Sequence, residues 1–215
     1  MDGRLAGLAA EVAARIGGEV AGVRELEASE RAEVAAAVPA DAPIEMGNLV
    51  AIDVRFVRPA GDDGFGRLVC VLPVAEEIAA FFCENHARPD PWPLTSVIPL
   101  HLIARDAVDE DPDEISMAAN NCYAFAARRI RDTDRWSRHL TGAIDLNPLF
   151  NPVVTADGIR PAGAARWAEG REVATDRRVI REGSWVLDWF RRRGWTWGGD
   201  WQSLKDYHHF EPGGE

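Results

Sequence analysis

Ser137–Pro148 reads SRHLTGAIDLNP, and the last quarter of the chain answers it with GWTWGGDW at Gly194–Trp201 and DYHHFE at Asp206–Glu211. A histidine and an aspartate lie close together in the first segment. A second histidine stands far downstream beside another carboxylate. This is the ligand arithmetic of a catalytic zinc site, which takes three protein ligands and leaves the fourth position open. His139, Asp145 and His209 are the candidate ligands, and Asp206 is left over as a base. In Ala143-Ile144-Asp145, period-two alternation turns Ala143 and Asp145 to one face and Ile144 to the other. Gly142 supplies the turn between His139 and that strand. Asp206 and His209 fall on a short terminal strand or turn. Zinc lowers the pKa of its water toward neutrality, and a neighbouring carboxylate takes the proton. The oxyanion that follows needs a second positive group, for which Arg128 is the candidate.

Outward from these segments, the pattern becomes that of a scaffold. Val50, Ile52, Val54 and Phe56 alternate with Ala51, Asp53, Arg55 and Val57, which predicts a half-buried strand. Gly61-Asp62-Asp63-Gly64 is turn chemistry, and Leu68–Leu72 reads as the returning strand of a hairpin. Val74, Ile78, Phe81 and Phe82 give Pro73–Cys83 a helical period. A proline-rich loop at Pro89–Pro93 precedes a strand expected over Ser96–Ile103. Asp106–Glu114 carries six acidic residues and reads as a solvated loop. It lacks the ordered alternation and glycine of a dedicated calcium loop. Ser184–Arg193 reads as a helix closed by Gly194. Near the N-terminus, Leu5, Leu8, Val12 and Ile16 predict a short amphipathic helix ending at Gly17-Gly18. A second helix is expected from Ser29 as N-cap to Val38, stopped by Pro39. Residues 1–46 thus read as a helical appendage, before a mainly antiparallel α+β domain over residues 47–215 with flanking helices.

Composition bounds the function. The chain has 215 residues and a formal net charge of −11, so it offers no basic stripe for nucleic acid. The cluster Arg191–Arg193 reads as a solvated helix end. Cys70, Cys83 and Cys122 have no metal-site or disulfide-framework spacing, and read as small buried thiols. No apolar run is long enough to span a membrane. Glu11 and Arg15 interrupt what would be the apolar core of a signal peptide, so the chain as written is expected in the cytoplasm. The sequence is silent on oligomeric state.

Three segments carry a family resemblance: NNCYAFAARRI at Asn120–Ile130, WSRHLTGAIDLNPLFNP at Trp136–Pro152, and WTWGGDW followed by KDYHHFE. Over about Gly47 to Glu211 the chain resembles the zinc peptidases of peptidoglycan. These are the VanY-type D-Ala-D-Ala carboxypeptidases and the related L-Ala-D-Glu endopeptidases, with the hedgehog/DD-peptidase fold. The resemblance implies Zn2+ as cofactor and peptidoglycan stem peptides or muropeptides as substrates. It implies His139, Asp145 and His209 as metal ligands, Asp206 as base, and Arg128 of the Phe-x-x-Arg segment as the group that polarises the scissile carbonyl, rather than Arg129. Ser137 and Trp197 are the candidate substrate contacts. Trp195, Trp197 and Trp201 read as core and cleft-wall residues, and His86 and His101 as structural or exposed; His208 could swap roles with His209, but the residue before Phe210 is the one that matches the family.

The chain departs from the family in one place. The family separates its first histidine and its aspartate by seven positions, and here the separation is six, with one residue missing after Gly142. A loss within the turn preserves the site. A loss within the strand turns Asp145 away from the metal. The shortened spacing keeps open a catalytically silent protein that binds peptide or wall. The missing signal peptide keeps open a zinc amidase or dipeptidase acting on cytoplasmic amides.

Overall fold

In the computed structural model, which describes residues 3–14, 16, 21–107, 109–131 and 133–214, Leu5, Leu8 and Val12 form the buried stripe of α1 (Gly3–Ala14). They pack with Ile98, Leu102 and Ile103. The expected stop at Gly17-Gly18 lies outside the described residues. A short strand follows, β1 (Gly22–Glu25), which no sequence period announces. Helix α2 (Ala28–Ala37) places Ser29 inside its first turn rather than at the cap; Glu30 instead accepts from the Glu27 N–H at 2.8 Å.

β1 pairs antiparallel with β2 (Leu49–Val57), and β2 pairs antiparallel with β3 (Asp63–Val71). Residues 1–46 therefore contribute an edge strand as well as helices. A buried ion cluster ties them further. Arg24 reaches Glu30 at 2.7 Å and Asp53 at 3.0 Å, and Arg67 contacts the same two carboxylates. Buried charge is tolerated here because every partner is paired.

Helix α3 (Leu72–His86) starts with Pro73 in its first turn, where a missing N–H costs nothing, and packs Val74, Ile78, Phe81 and Phe82 inward. The strand expected over Ser96–Ile103 is only β4 (Ser96–Val97). Pro99 cannot donate to a ladder, and helix α4 (Leu100–Asp106) begins behind it. The acidic run is also more than a solvated loop. Asp111 caps α5 (Pro112–Ala118) by accepting from the Asp113 N–H at 3.0 Å, and Asp113 itself is buried. β5 (Asn121–Cys122) then lies parallel to β4.

The C-terminal half builds two small antiparallel sheets. One orders β10 (Lys205–Asp206), β7 (Val153–Thr155) and β8 (Gly158–Arg160). The other orders β6 (Ile144–Asp145), β11 (His209–Pro212) and β9 (Trp195–Trp197). Behind the second sheet stands α6 (Trp185–Arg191), followed by Gly194 at φ +80°. Phe210 stacks on Phe190 at 4.3 Å, and Phe190 meets Trp195 at 5.2 Å and Phe81 at 5.1 Å. This aromatic core locks β11 to α3 and α6, each buried ring contributing roughly 1.5–3 kcal/mol. The fold is α+β, with antiparallel pairing everywhere except β4–β5 among the described residues. No described helix is long and apolar enough to cross a membrane.

Candidate metal centre

Asp145 on β6 and His209 on β11 are direct cross-strand partners, and their neighbours Ile144 and Phe210 are partners in the same ladder. Alternation sends Ile144 and Phe210 into the core and leaves Asp145 and His209 on the other face. A backbone bond from Asp145 N–H to the Tyr123 carbonyl, at 2.9 Å, holds the opposite edge of β6. His139 arrives from a 3-10 turn, Arg138–Leu140, whose first N–H groups are met by Ser137; the Ser137 hydroxyl accepts from the His139 N–H at 3.3 Å.

The segment between His139 and Asp145 is a tight turn that leads straight into β6. Gly142 sits at φ +119°, and a Cβ there would lie 2.9 Å from Val74 Cγ1, so both conformation and space require glycine. Ala143-Ile144-Asp145 keeps its register with β11, and Asp145 stays beside His139 and His209 despite the spacing of six.

Hydrogen bonds decide which nitrogens face the centre. His139 Nδ1 lies 3.1 Å from the Ala143 carbonyl, which can only accept, so Nδ1 carries the proton. Nε2 is left pointing at Asp145 Oδ2, 3.1 Å away. His209 presents Nδ1 to Asp145 Oδ1 at 3.0 Å and Nε2 to Glu211 Oε2 at 3.4 Å. Glu211 thus retains the Nε2 proton when Nδ1 serves as a ligand, the usual second partner of a metal-binding imidazole. The three ligating atoms of His139, Asp145 and His209 all lie within 4.8 Å of one another, and all three residues are buried. A buried carboxylate between two inward imidazoles, each oriented by an outer acceptor, fits a zinc ion in both donor type and number.

Without metal these groups bond to one another. Burial opposes the charge on Asp145, but the imidazoles of His139 and His208, with hydrogen bonds from His139 and His209, hold its carboxyl well below the usual range. Burial also works against protonation of His209, yet the bonds to Asp145 and Glu211 push it up to about 10.

Asp206 ends β10, and His208 occupies the turn between it and β11. His208 Nδ1 donates to the Asn151 carbonyl at 2.7 Å, and Nε2 lies 3.0 Å from Asp206 Oδ1 and 3.5 Å from Asp145 Oδ2. It is neither exposed nor a member of the ligand set. It bridges the base candidate to the central carboxylate, a role that its position two residues after Asp206 in a turn makes possible. The turn is seated on Gly198, where a Cβ would fall 2.5 Å from the Asp206 carbonyl oxygen and 3.2 Å from His209 Cβ. Gly199 is pressed against the Trp197 ring in the same way. The Gly-Gly pair in GWTWGGDW is therefore the bed of the Asp206–His209 turn.

Trp197 is buried with its indole N–H donating to the Tyr207 carbonyl at 2.9 Å, and Trp195 is buried beside it. Ser137 is buried under His139. Trp201, half-buried, has its ring 5.2 Å from that of His209. His86 reaches Asp63 at 3.2 Å, and burial pushes His101 down to about 4. Burial pushes the thiols of Cys70 and Cys122 up to about 12, which marks them as inert.

The neighbours Arg128 and Arg129 diverge. Arg129 bonds Asp41 at 2.8 Å and stacks on Trp136 at 4.4 Å. Arg128 forms an ion pair through Nε with Asp113 Oδ2 and faces a cavity of about 180 Å³. Val34, Val38, Leu100, Ala104 and Phe125 wall that cavity, and none of the three candidate ligands lines it. Burial disfavours the charge on Arg128, but Tyr123, Asp113 and Asp145 hold the guanidinium protonated. The arginine and the candidate metal centre are linked through Asp113 and Tyr123.

A protein-family model described as D-alanyl-D-alanine carboxypeptidase matches residues 131–212. That segment, which holds His139, Asp145, Asp206 and His209, is similar to this peptidase family, and the α+β fold is of the hedgehog/DD-peptidase type. Arg128 lies just before the matched residues. No curated protein and no solved structure matches the chain at a significant level.

Proposed function

We propose that this protein is a zinc-dependent peptidase that hydrolyses peptide bonds of peptidoglycan stem peptides, of the D-Ala-D-Ala carboxypeptidase or L-Ala-D-Glu endopeptidase type. The observation that carries this reading is the convergence of His139, Asp145 and His209, within a segment matched by the carboxypeptidase family. His139 Nε2, an Asp145 oxygen and His209 Nδ1 would hold the ion. Bound zinc supplies a Lewis acid and an acidified water at neutral pH.

The chain's own groups do the rest. Asp206 takes the proton from the attacking water, and His208 holds its Oδ1 in place at 3.0 Å. Arg128 binds the scissile carbonyl and stabilises the charge that develops on its oxygen. Ser137 and Trp197 act from behind, the first by holding the His139 turn and the second by anchoring Tyr207. Incubation of the zinc-loaded protein with muropeptides, followed by mass spectrometry, tests the reading. Loss of a terminal D-Ala or scission after L-Ala is expected, abolished by chelation and restored by zinc. A protein that binds one zinc and cleaves no muropeptide would instead be a silent member of the fold.

A further inference from the structure

Asp113 is the least expected charged group near the site. It comes from an acidic run with the composition of a solvated loop, yet it is buried on the first turn of α5, with its backbone N–H held by the Asp111 cap at 3.0 Å. Its two oxygens have different partners. Oδ1 accepts from the Tyr123 hydroxyl at 2.8 Å, and Oδ2 faces Arg128 Nε.

Tyr123 is in turn fixed to the metal centre at both ends of its length. Its carbonyl accepts from the Asp145 N–H at 2.9 Å, and its ring lies 4.6 Å from the ring of His139. Tyr123 and Asp113 therefore form a strut of two residues between the ligand cluster and the guanidinium. The Arg128 side chain keeps 39% of its surface exposed and borders the 180 Å³ cavity. An arginine side chain has many rotamers to lose when it is fixed in one place. Arg128 faces walls of Val34, Leu100 and Phe125.

We propose that Asp113 is a positioning residue, which together with Tyr123 fixes the Arg128 guanidinium at a set distance from the metal centre so that it meets the substrate carbonyl. The proposal rests on the peptidase reading above. It differs from a plain structural ion pair in that the effect of Asp113 on turnover must pass through Arg128.

The test uses the full-length zinc-loaded chain and Asp113→Asn, Asp113→Glu, Arg128→Ala and the Asp113→Asn/Arg128→Ala double variant. Misplacement of a catalytic group by about 1 Å can cost about 100-fold in rate. On a muropeptide that the wild type cleaves, Asp113→Asn is expected to lower kcat by about 10–100-fold with zinc content and KM little changed. It should add nothing in the Arg128→Ala background, and Asp113→Glu should recover part of the loss. Independent, multiplying losses, or loss of zinc from Asp113→Asn, would overturn the proposal while leaving the peptidase reading intact. A second readout needs no activity. In NMR of arginine-labelled protein, the Arg128 Nε–H signal should exchange slowly with solvent in the wild type and rapidly in Asp113→Asn. Equal exchange in the two proteins overturns the proposal even if the wild type cleaves no muropeptide; that lack of cleavage alone defeats the functional reading.

Discussion

Asp145 and His209 face each other across the β6–β11 ladder, with Asp145 Oδ1 and His209 Nδ1 3.0 Å apart. Two of the three candidate ligands are thus set by strand register rather than by loops. Side-chain packing enforces that register, because a slip by one residue would carry Ile144 and Phe210 out of the core. The third ligand needs only to be delivered by a turn, and turns tolerate a lost residue where strands do not.

Removal of the central carboxylate should abolish metal binding. Asp145→Ala is expected to reduce bound zinc from one per chain to nearly none, read by elemental analysis after dialysis. It also strips two buried imidazoles of their counter-charge, so the metal-free variant should lose about 3–5 kcal/mol in urea unfolding. Full zinc occupancy in this variant would eliminate the assigned ligand set.

Zinc binding should release protons. In the metal-free protein His209 is raised to about 10, so it is charged at pH 7, and its Nδ1 must lose a proton to bind metal. Apparent zinc affinity should therefore climb as pH rises from 6 toward 9. Titration calorimetry in buffers of different ionisation enthalpy checks the sign. Affinity that does not change with pH would mean that His209 is not a ligand.

Asp206→Asn should separate binding from chemistry. Zinc content should stay near one per chain, while turnover on a cleaved muropeptide falls about 100-fold or more. Loss of metal from this variant would move Asp206 from base to ligand.

Gly198→Ala should injure the site from below. Its methyl would fall 2.5 Å from the Asp206 carbonyl oxygen and 2.9 Å from Asp206 Cβ, so the turn must shift. Zinc affinity is expected to drop by about 10-fold or more, as for other changes that disturb ligand orientation. Gly47→Ala is the control, because nothing lies within 4 Å of its added methyl. Identical zinc affinities for the two variants would contradict the close approach at Gly198.

Acid should weaken the sheet through Glu30. Burial alone would raise its pKa, but Arg24, the Glu27 N–H and Arg67 lower it from 4.5 to about 2. A depressed carboxylate stabilises the fold fully above its ordinary pKa, and that stability is lost as pH falls toward 2. The contribution is on the order of 2–3 kcal/mol at neutral pH. Urea midpoints measured between pH 6 and pH 2.5 should fall more steeply in the wild type than in Glu30→Gln. Parallel declines would show that the cluster does not carry this dependence.

The clustering of the candidate ligands was legible because metal ligation restricts residue type and spacing together. His139, Asp145 and His209 stand out on both, and the intervening alternation shows which of residues 143–145 share a face. What was not legible depends on partners distant in the chain. β1 is four residues long, too short for a period to register, and exists because β2 offers it an edge. The expected strand over 96–103 failed at Pro99, where local backbone chemistry outweighed an apolar run. Asp113 looked solvated because nothing nearby in sequence reveals Tyr123 and Arg128 as its partners. His208 looked redundant beside His209 until the turn brought Asp206 and Asp145 to the same nitrogen.

The walls of the Arg128 cavity come from a different length of chain than the metal ligands. Val34, Ala37 and Val38 belong to α2 and the residue that follows it, whereas every candidate ligand lies beyond position 138. The candidate ligands and the cavity walls thereby come from separate stretches of sequence. Substitutions on α2 alter the volume beside the arginine while leaving every metal-donor atom in place. The size of that cavity and the identity of the candidate ligands can therefore change independently.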